Sequence, residues 1–189
     1  MYSRKPVILA SQSPRRAQLL EQAGIPFEVK VSEADESWPE GMPVPEVPEH
    51  IARQKAKAVQ AFYGAEAIII AADTIVVLDG DVIGKPADRD DALRILGRLS
   101  GRVHTVITGV VIVRNGEEQA FSQTTEVHFK PLTEEQIAYY VDNYKPYDKA
   151  GAYAIQEWIG AVGIAGINGD FYNVMGLPVS QVAERLAKM

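Results

Sequence analysis

The chain predicts an α/β fold, and three observations carry that prediction. A short apolar run, Val7-Ile8-Leu9-Ala10, stands directly before a helix start at Ser13-Pro14. Serine suits the N-cap and proline the first helical position. A second apolar run, Ala67 to Ala72, is unbroken, the pattern of a strand covered on both faces, and it follows an amphipathic stretch from Pro48 to about Tyr63. The length, 189 residues, suffices for one domain, taken as residues 1–189, with a sizeable core.

Taken in order, the first helix carries Leu19, Leu20 and Ala23 on its apolar stripe and stops at Gly24. Ile25 to Val31 alternates and reads as a second strand. An acidic stretch with Glu33, Asp35, Glu36 and Glu40 leads into a proline-rich loop. In the next helix Ile51, Ala52, Lys55, Ala58, Val59 and Phe62 fall on or beside one face. The buried run then delivers Asp73 at its C-terminal end, where open α/β sheets bind ligands. Thr74 to Leu78 continues as strand, Asp79-Gly80 turns a hairpin, and Val82-Ile83-Gly84 returns toward Lys85-Pro86. Asp88 caps a helix to Ser100, stopped by Gly101. His104 to Val113 and Glu118 to Phe129 form a long hairpin around Asn115-Gly116. Thr133-Glu134-Glu135-Gln136 is a capping box for a helix to about Tyr144. An apolar run from Ala161 to Ile167 precedes a last amphipathic helix, Pro178 to about Lys188, with Val179, Val182 and Leu186 inward.

Composition narrows the function. The chain has no cysteine, so neither a disulfide framework nor a thiolate metal site is available. No apolar run approaches the roughly 18 residues of a membrane span, and no signal-like segment is present. A soluble, cytoplasmic protein is the expectation. The net charge of -6 disfavours a broad nucleic-acid surface. It leaves room for a small phosphorylated ligand, since a few local cations override the global sign.

Such cations are present. Arg15 and Arg16 lie in the first turn of a helix, where they oppose its dipole. A bound anion would meet free amides, the Ser11 and Ser13 hydroxyls and both guanidiniums. The plainer alternative is a helix start with two solvated arginines. Lys55 either snorkels or points its amine into a cleft. Asp73 is either a cap or a functional group. His104 and His128 lack ligand spacing and read as structural or exposed. Lys145 to Gln156 is a loop rich in small residues, which permit close backbone approach. Within it Lys149 suits an anion and Gln156 the edge of a base.

If Arg15, Arg16, Lys55, Lys85 and Lys149 converge, they hold several phosphates. Asp73 with Asp35 or Glu36 would then call for a divalent ion, Mg2+ or Mn2+, between carboxylates and phosphates. The implied chemistry is hydrolysis of a phosphoanhydride, with a carboxylate activating water. Neither a Gly-Lys-Ser/Thr phosphate loop nor a dinucleotide fingerprint is present.

Five blocks point further: Ser11-Gln12-Ser13-Pro14-Arg15-Arg16, Ala71-Ala72-Asp73-Thr74, Lys85-Pro86, Asp148 to Tyr153 with Gln156, and Gly169-Asp170-Phe171 through Gly176-Leu177-Pro178. In order and spacing the chain resembles the Maf family of nucleoside triphosphate pyrophosphatases, also described as septum-formation inhibitors. The resemblance implies a Maf/ITPase-like architecture: a central mixed, twisted sheet flanked by helices, and two lobes with an active-site cleft between them. It implies release of pyrophosphate from a nucleotide with a divalent cation, Asp73 activating water, and Arg15, Thr74 and Gln156 tuning base choice. Asp73-Thr74 with Gln156 is similar to the branch that hydrolyses dTTP and UTP. The branch acting on 7-methyl-GTP places glutamine where this chain has Thr74. Family members are often dimers, which leaves a homodimer open, and the composition predicts no membrane or nucleic-acid partner. The competing expectation is a nucleotide-binding regulator of cell division that acts through a protein partner without turnover.

Overall fold

A computed structural model describes residues 6–31, 33–64 and 66–189. Strand β1 (Val7–Leu9) is wholly buried and pairs in parallel with β2 (Glu28–Val29) on one side and β3 (Ile68–Leu78) on the other. The remaining strands are β4 (Asp81–Ile83), β5 (Val103–Arg114), β6 (Glu117–Phe129) and β7 (Ile164–Asn168). Among the described residues they make one seven-stranded sheet, ordered β2-β1-β3-β5-β6-β7 with β4 attached to β3. The sheet is mixed: β4 runs antiparallel to β3, and β7 antiparallel to β6. The helices are α1 (Pro14–Gln22), α2 (Val47–Gln60), α3 (Arg89–Leu99), α4 (Glu134–Tyr144), α5 (Trp158–Gly163), α6 (Phe171–Met175) and α7 (Val179–Leu186). No helix among the described residues is long and apolar enough to cross a membrane.

The chain forms two compact units. The first comprises Met1–Asp73, Thr108–Gln123 and Gly176–Met189, the second Thr74–Ile107 and Thr124–Met175. In the first unit, Ala52, Ala56 and Val59 of α2 pack on Ile8, Ile69, Ala71, Val111 and Val113 of the strands. Small residues let helix and sheet approach closely. At Gly109 of β5 an added Cβ would lie 2.2 Å from the Glu49 backbone nitrogen. In the second unit, His104, Phe129 and Tyr153 pack edge to face, with ring centroids 5.0–5.4 Å apart.

Local signals hold well. Asp88 accepts from the Asp91 N–H, Thr133 and Gln136 form the reciprocal capping box, and Gly24 sits past α1 at φ +67°. Both hairpin turns have two residues at positive φ, Asp79-Gly80 and Asn115-Gly116, matching the twist of the flanking strands. Three expectations change. The second strand shrinks to two exposed residues, because little of Ile25 to Val31 has a pairing partner. Helix α2 ends at Gln60, so Phe62 leaves its apolar face and is 71% exposed, beneath the Lys30 ammonium. The run Ala161 to Ile167 divides into the end of α5 and the start of β7, and the short α6 follows. As its pattern predicts, Thr74 to Leu78 continues β3 past Asp73, and it pairs through Val76 with β4.

His104 is structural, as its sequence context suggests. It is 1% exposed, and its Nε2 lies 2.7 Å from the Tyr153 hydroxyl. Burial, with a smaller contribution from His128, lowers its pKa from 6.5 to about 4. Above pH 6.5 the imidazole is neutral in both folded and unfolded chains. As pH falls toward 4, only the unfolded chain gains the proton, so folding weakens; below that the loss levels off. The drop attributable to this group is about 3 kcal/mol. Urea titrations across that window should show it in the wild type and not in His104→Asn.

Candidate active site

In the first unit, β1 ends where β3 does not. The Ala10 N–H donates to the Ile70 carbonyl at 2.8 Å, and the chain then turns away into α1. β3 runs on to Asp73, which therefore lies past the C-terminal end of its parallel neighbour. That is the ligand-binding edge of an α/β sheet.

Helix α2 presents Lys55 on its buried face, beside Ile51, Ala52, Ala56 and Val59. Lys55 is 8% exposed and does not snorkel. Its Nζ stands 2.7 Å from Asp73 Oδ1 and 2.9 Å from Glu36 Oε1. Two carboxylates on one buried ammonium offset the cost of taking that charge out of water. Asp35 takes another course: its carboxylate accepts from the Ser37 N–H and hydroxyl at 3.0 and 2.6 Å, bonds that lower its pKa. The acidic loop thus sends Glu36 to Lys55 and keeps Asp35 in a local turn.

The Ser11 to Arg16 segment is built around a second buried cation. Arg16 Nε donates to the Gly176 carbonyl at 2.7 Å, and Nη1 to Ser11 Oγ at 3.1 Å. Ser11 Oγ also accepts from the Ser13 N–H at 3.2 Å. Ser13 holds the N-cap position, but its side chain makes no cap hydrogen bond. Burial lowers the Arg16 pKa; Asp73 and Glu36 pull it up and Arg15 pushes it down. Arg16 therefore feels the charges around Lys55. Arg15 is half-buried. The Gly176 carbonyl is the partner the sequence did not reveal, although Gly176-Leu177-Pro178 stood out as a block.

The second unit holds the other sequence-derived candidates. Thr74 is half-buried on β3, and Lys85 is exposed just after β4. Lys149 is 9% exposed, with Nζ 2.7 Å from Asp148 Oδ1 and 3.8 Å from Glu157 Oε1. The small residues after it serve internal packing. The Gly151 N–H donates to the Gly84 carbonyl at 3.1 Å, and a Cβ there would meet Val76 Cγ2 at 3.0 Å. Gln156 is exposed beside an open depression of 480 Å³ walled by Ile164, Ile167 and Phe171. The Gly169-Asp170 block is structural too: the Asp170 N–H and Asn173 Nδ2 both donate to Thr125 Oγ1, at 3.0 and 2.9 Å.

Among the described residues, no three His, Cys, Asp or Glu side chains gather as a metal cage. Glu36 and Asp73 converge on Lys55 as two hard oxygen donors. That set suits a cation that takes one or two carboxylates and completes its shell with phosphates and water. Chemically, the first unit offers a carboxylate for proton transfer, an ammonium beside it, and a guanidinium held in place. Replacing that guanidinium is informative, because Arg16→Lys cannot reach both acceptors with one fork. Urea unfolding should register a loss of about 1.5–3 kcal/mol.

Comparison with known proteins finds relatives along almost the whole chain. The sequence model of the family described as Maf-like protein matches residues 6–189. A dTTP/UTP pyrophosphatase of Cytophaga hutchinsonii is 52% identical over 183 residues, 97% of this chain and 84% of the relative. One from Phocaeicola vulgatus is 49% identical over 184 residues, 97% of this chain and 95% of the relative. One from Symbiobacterium thermophilum is 52% identical over 182 residues, 96% of this chain and 93% of the relative. Likeness that begins in β1 and runs through α7 leaves no doubt about kinship: the chain belongs to the Maf family.

Proposed function

We propose that this protein is a nucleoside triphosphate pyrophosphatase that hydrolyses dTTP and UTP to the monophosphate and pyrophosphate. The observation that carries the reading is the Lys55 ammonium held between Asp73 and Glu36, at 2.7 and 2.9 Å, with Arg16 in electrostatic reach. Relatives at about half identity, named for that activity, support the choice of substrate.

Each residue has a task in this reading. Asp73 accepts the proton of a water as its oxygen attacks the α-phosphorus. The bond from that phosphorus to the bridging oxygen breaks, and pyrophosphate leaves with the electron pair. Lys55, bound to Asp73 Oδ1, holds the carboxylate in one orientation, so Oδ2 takes the proton. Arg15, Ser11 and Ser13 stand at the N-terminus of α1, whose dipole favours phosphate. Arg16 adds charge from beneath. Lys85 and Lys149 are assigned to phosphate, and Thr74 and Gln156 to the nucleobase, on the family likeness. Glu36 and Asp73 would hold the divalent cation, with Asp35 spent on its local turn. A bound Mg2+ or Mn2+ supplies phosphate neutralisation and polarisation of the phosphorus. The cytoplasm, where nucleoside triphosphates are plentiful, is the setting that suits this substrate. A non-catalytic regulator is not favoured, since these relatives are named as enzymes.

The direct test is pyrophosphate release from purified protein with dTTP and UTP. Asp73→Asn should lower the rate at least a hundredfold, about the contribution of a general base, with an unchanged circular dichroism spectrum. Full turnover in that variant would remove the proposed base. Chelation with EDTA should stop release and added Mg2+ or Mn2+ restore it; indifference to chelator would refute the metal role.

A further inference from the structure

In the second unit, residues 154–157 form a tight turn, closed by the Glu157 N–H donating to the Ala154 carbonyl at 3.1 Å. Gln156 occupies its third position and is exposed. Behind the turn lies Tyr140 of α4, whose side chain is fully buried and stacked on Tyr144. Its hydroxyl touches both ends of the turn. It accepts from the Ala154 N–H at 3.1 Å and donates to Glu157 Oε2. The same Glu157 carboxylate has Lys149 Nζ 3.8 Å from its other oxygen. One buried phenol thus clips the first and last residues of the turn that displays Gln156.

We propose that Tyr140 is a positioning residue for nucleobase selection: its hydroxyl fixes the 154–157 turn and so the orientation of the Gln156 amide. The inference rests on the reading of Gln156 as a base-reading residue and extends it to a side chain that touches no substrate. The physical reasoning is short. An amide discriminates between bases only if its donor and acceptor stand in fixed places. A four-residue turn on its own leaves the exposed side chain free to swing with the backbone. Anchoring the turn at two points to a residue with no exposed surface removes that freedom before substrate arrives. On the far side the backbone at Gly160 packs directly against the turn, since a Cβ there would lie 1.7 Å from the Ile155 carbonyl oxygen.

Tyr140→Phe keeps the ring and its stacking and removes the clip. Steady-state pyrophosphate release from the full chain would be measured with UTP and with GTP. The expected result is a rise in KM for UTP with kcat within about twofold, and a fall of about tenfold in the UTP/GTP ratio of kcat/KM. A merely structural role would lower the melting temperature and scale both substrates alike, and an unchanged ratio overturns the proposal. Should Tyr140→Phe fail to fold, Glu157→Ala breaks one arm of the clip and should shift the ratio the same way, while Glu157→Gln, which still accepts from the phenol, should restore it. Gln156→Leu separates the two levels. If it alters the ratio and Tyr140→Phe does not, the clip is wrong and the base-reading assignment stands. If neither alters it, both fall.

Discussion

The site of the first unit depends on one constraint: a lysine carried into the interior by an apolar helix face must find negative charge there. Lys55 sits among alanines and β-branched residues and is 8% exposed. An ammonium in that setting is costly unless paired. Asp73 and Glu36 answer it from a strand and a loop that are 37 residues apart along the chain, and so the pairing also sets where each carboxylate stands. Removing one carboxylate leaves the other still bound. Removing the lysine leaves two like charges facing each other. The ammonium is therefore the keystone, and the carboxylates are placed by it.

Arg16 follows the same logic with a different partner. Its fork is held by a backbone carbonyl and a serine hydroxyl, which fix its direction. A charge fixed in direction is well suited to an incoming anion, because little reorganisation remains when the anion arrives. Exposed pairs on this protein are of another kind. Arg89 forks Asp142 at 2.6 and 2.9 Å with about half of each side chain in water, an arrangement that contributes little to stability or binding.

Much of the fold was legible because its signals are local. The capping box at Thr133, the cap at Asp88, the two hairpin turns and the buried run of β3 each depend on residues within one turn or strand. The site was legible as a set of residue types: Asp73, Lys55, Glu36 and Arg16 could all be named. Their pairing was not. Whether Asp35 or Glu36 turns inward depends on Ser37 capturing the former, and sequence spacing is silent on that. The end of β2 was misplaced because only Glu28 and Val29 pair with β1. Tyr140 carries no sequence signal at all; its hydroxyl matters only because α4 packs under a turn ten or more residues away.

The glycines in and between the later family blocks have a physical reason. Gly151 admits the Val76 side chain, Gly160 admits the Ile155 carbonyl, and Gly169 admits Thr125, whose hydroxyl then binds the Asp170 and Asn173 nitrogens. None of these positions holds chemistry of its own. Each lets a backbone segment approach its neighbour closely, and at Gly169 a single polar side chain, Thr125, locks it. Loops that bear functional groups are ordinarily the mobile part of a fold. Here they are tied by buried hydroxyls and amides to strands and helices. Selectivity between similar bases requires that, since a reader that yields to the wrong base discriminates nothing.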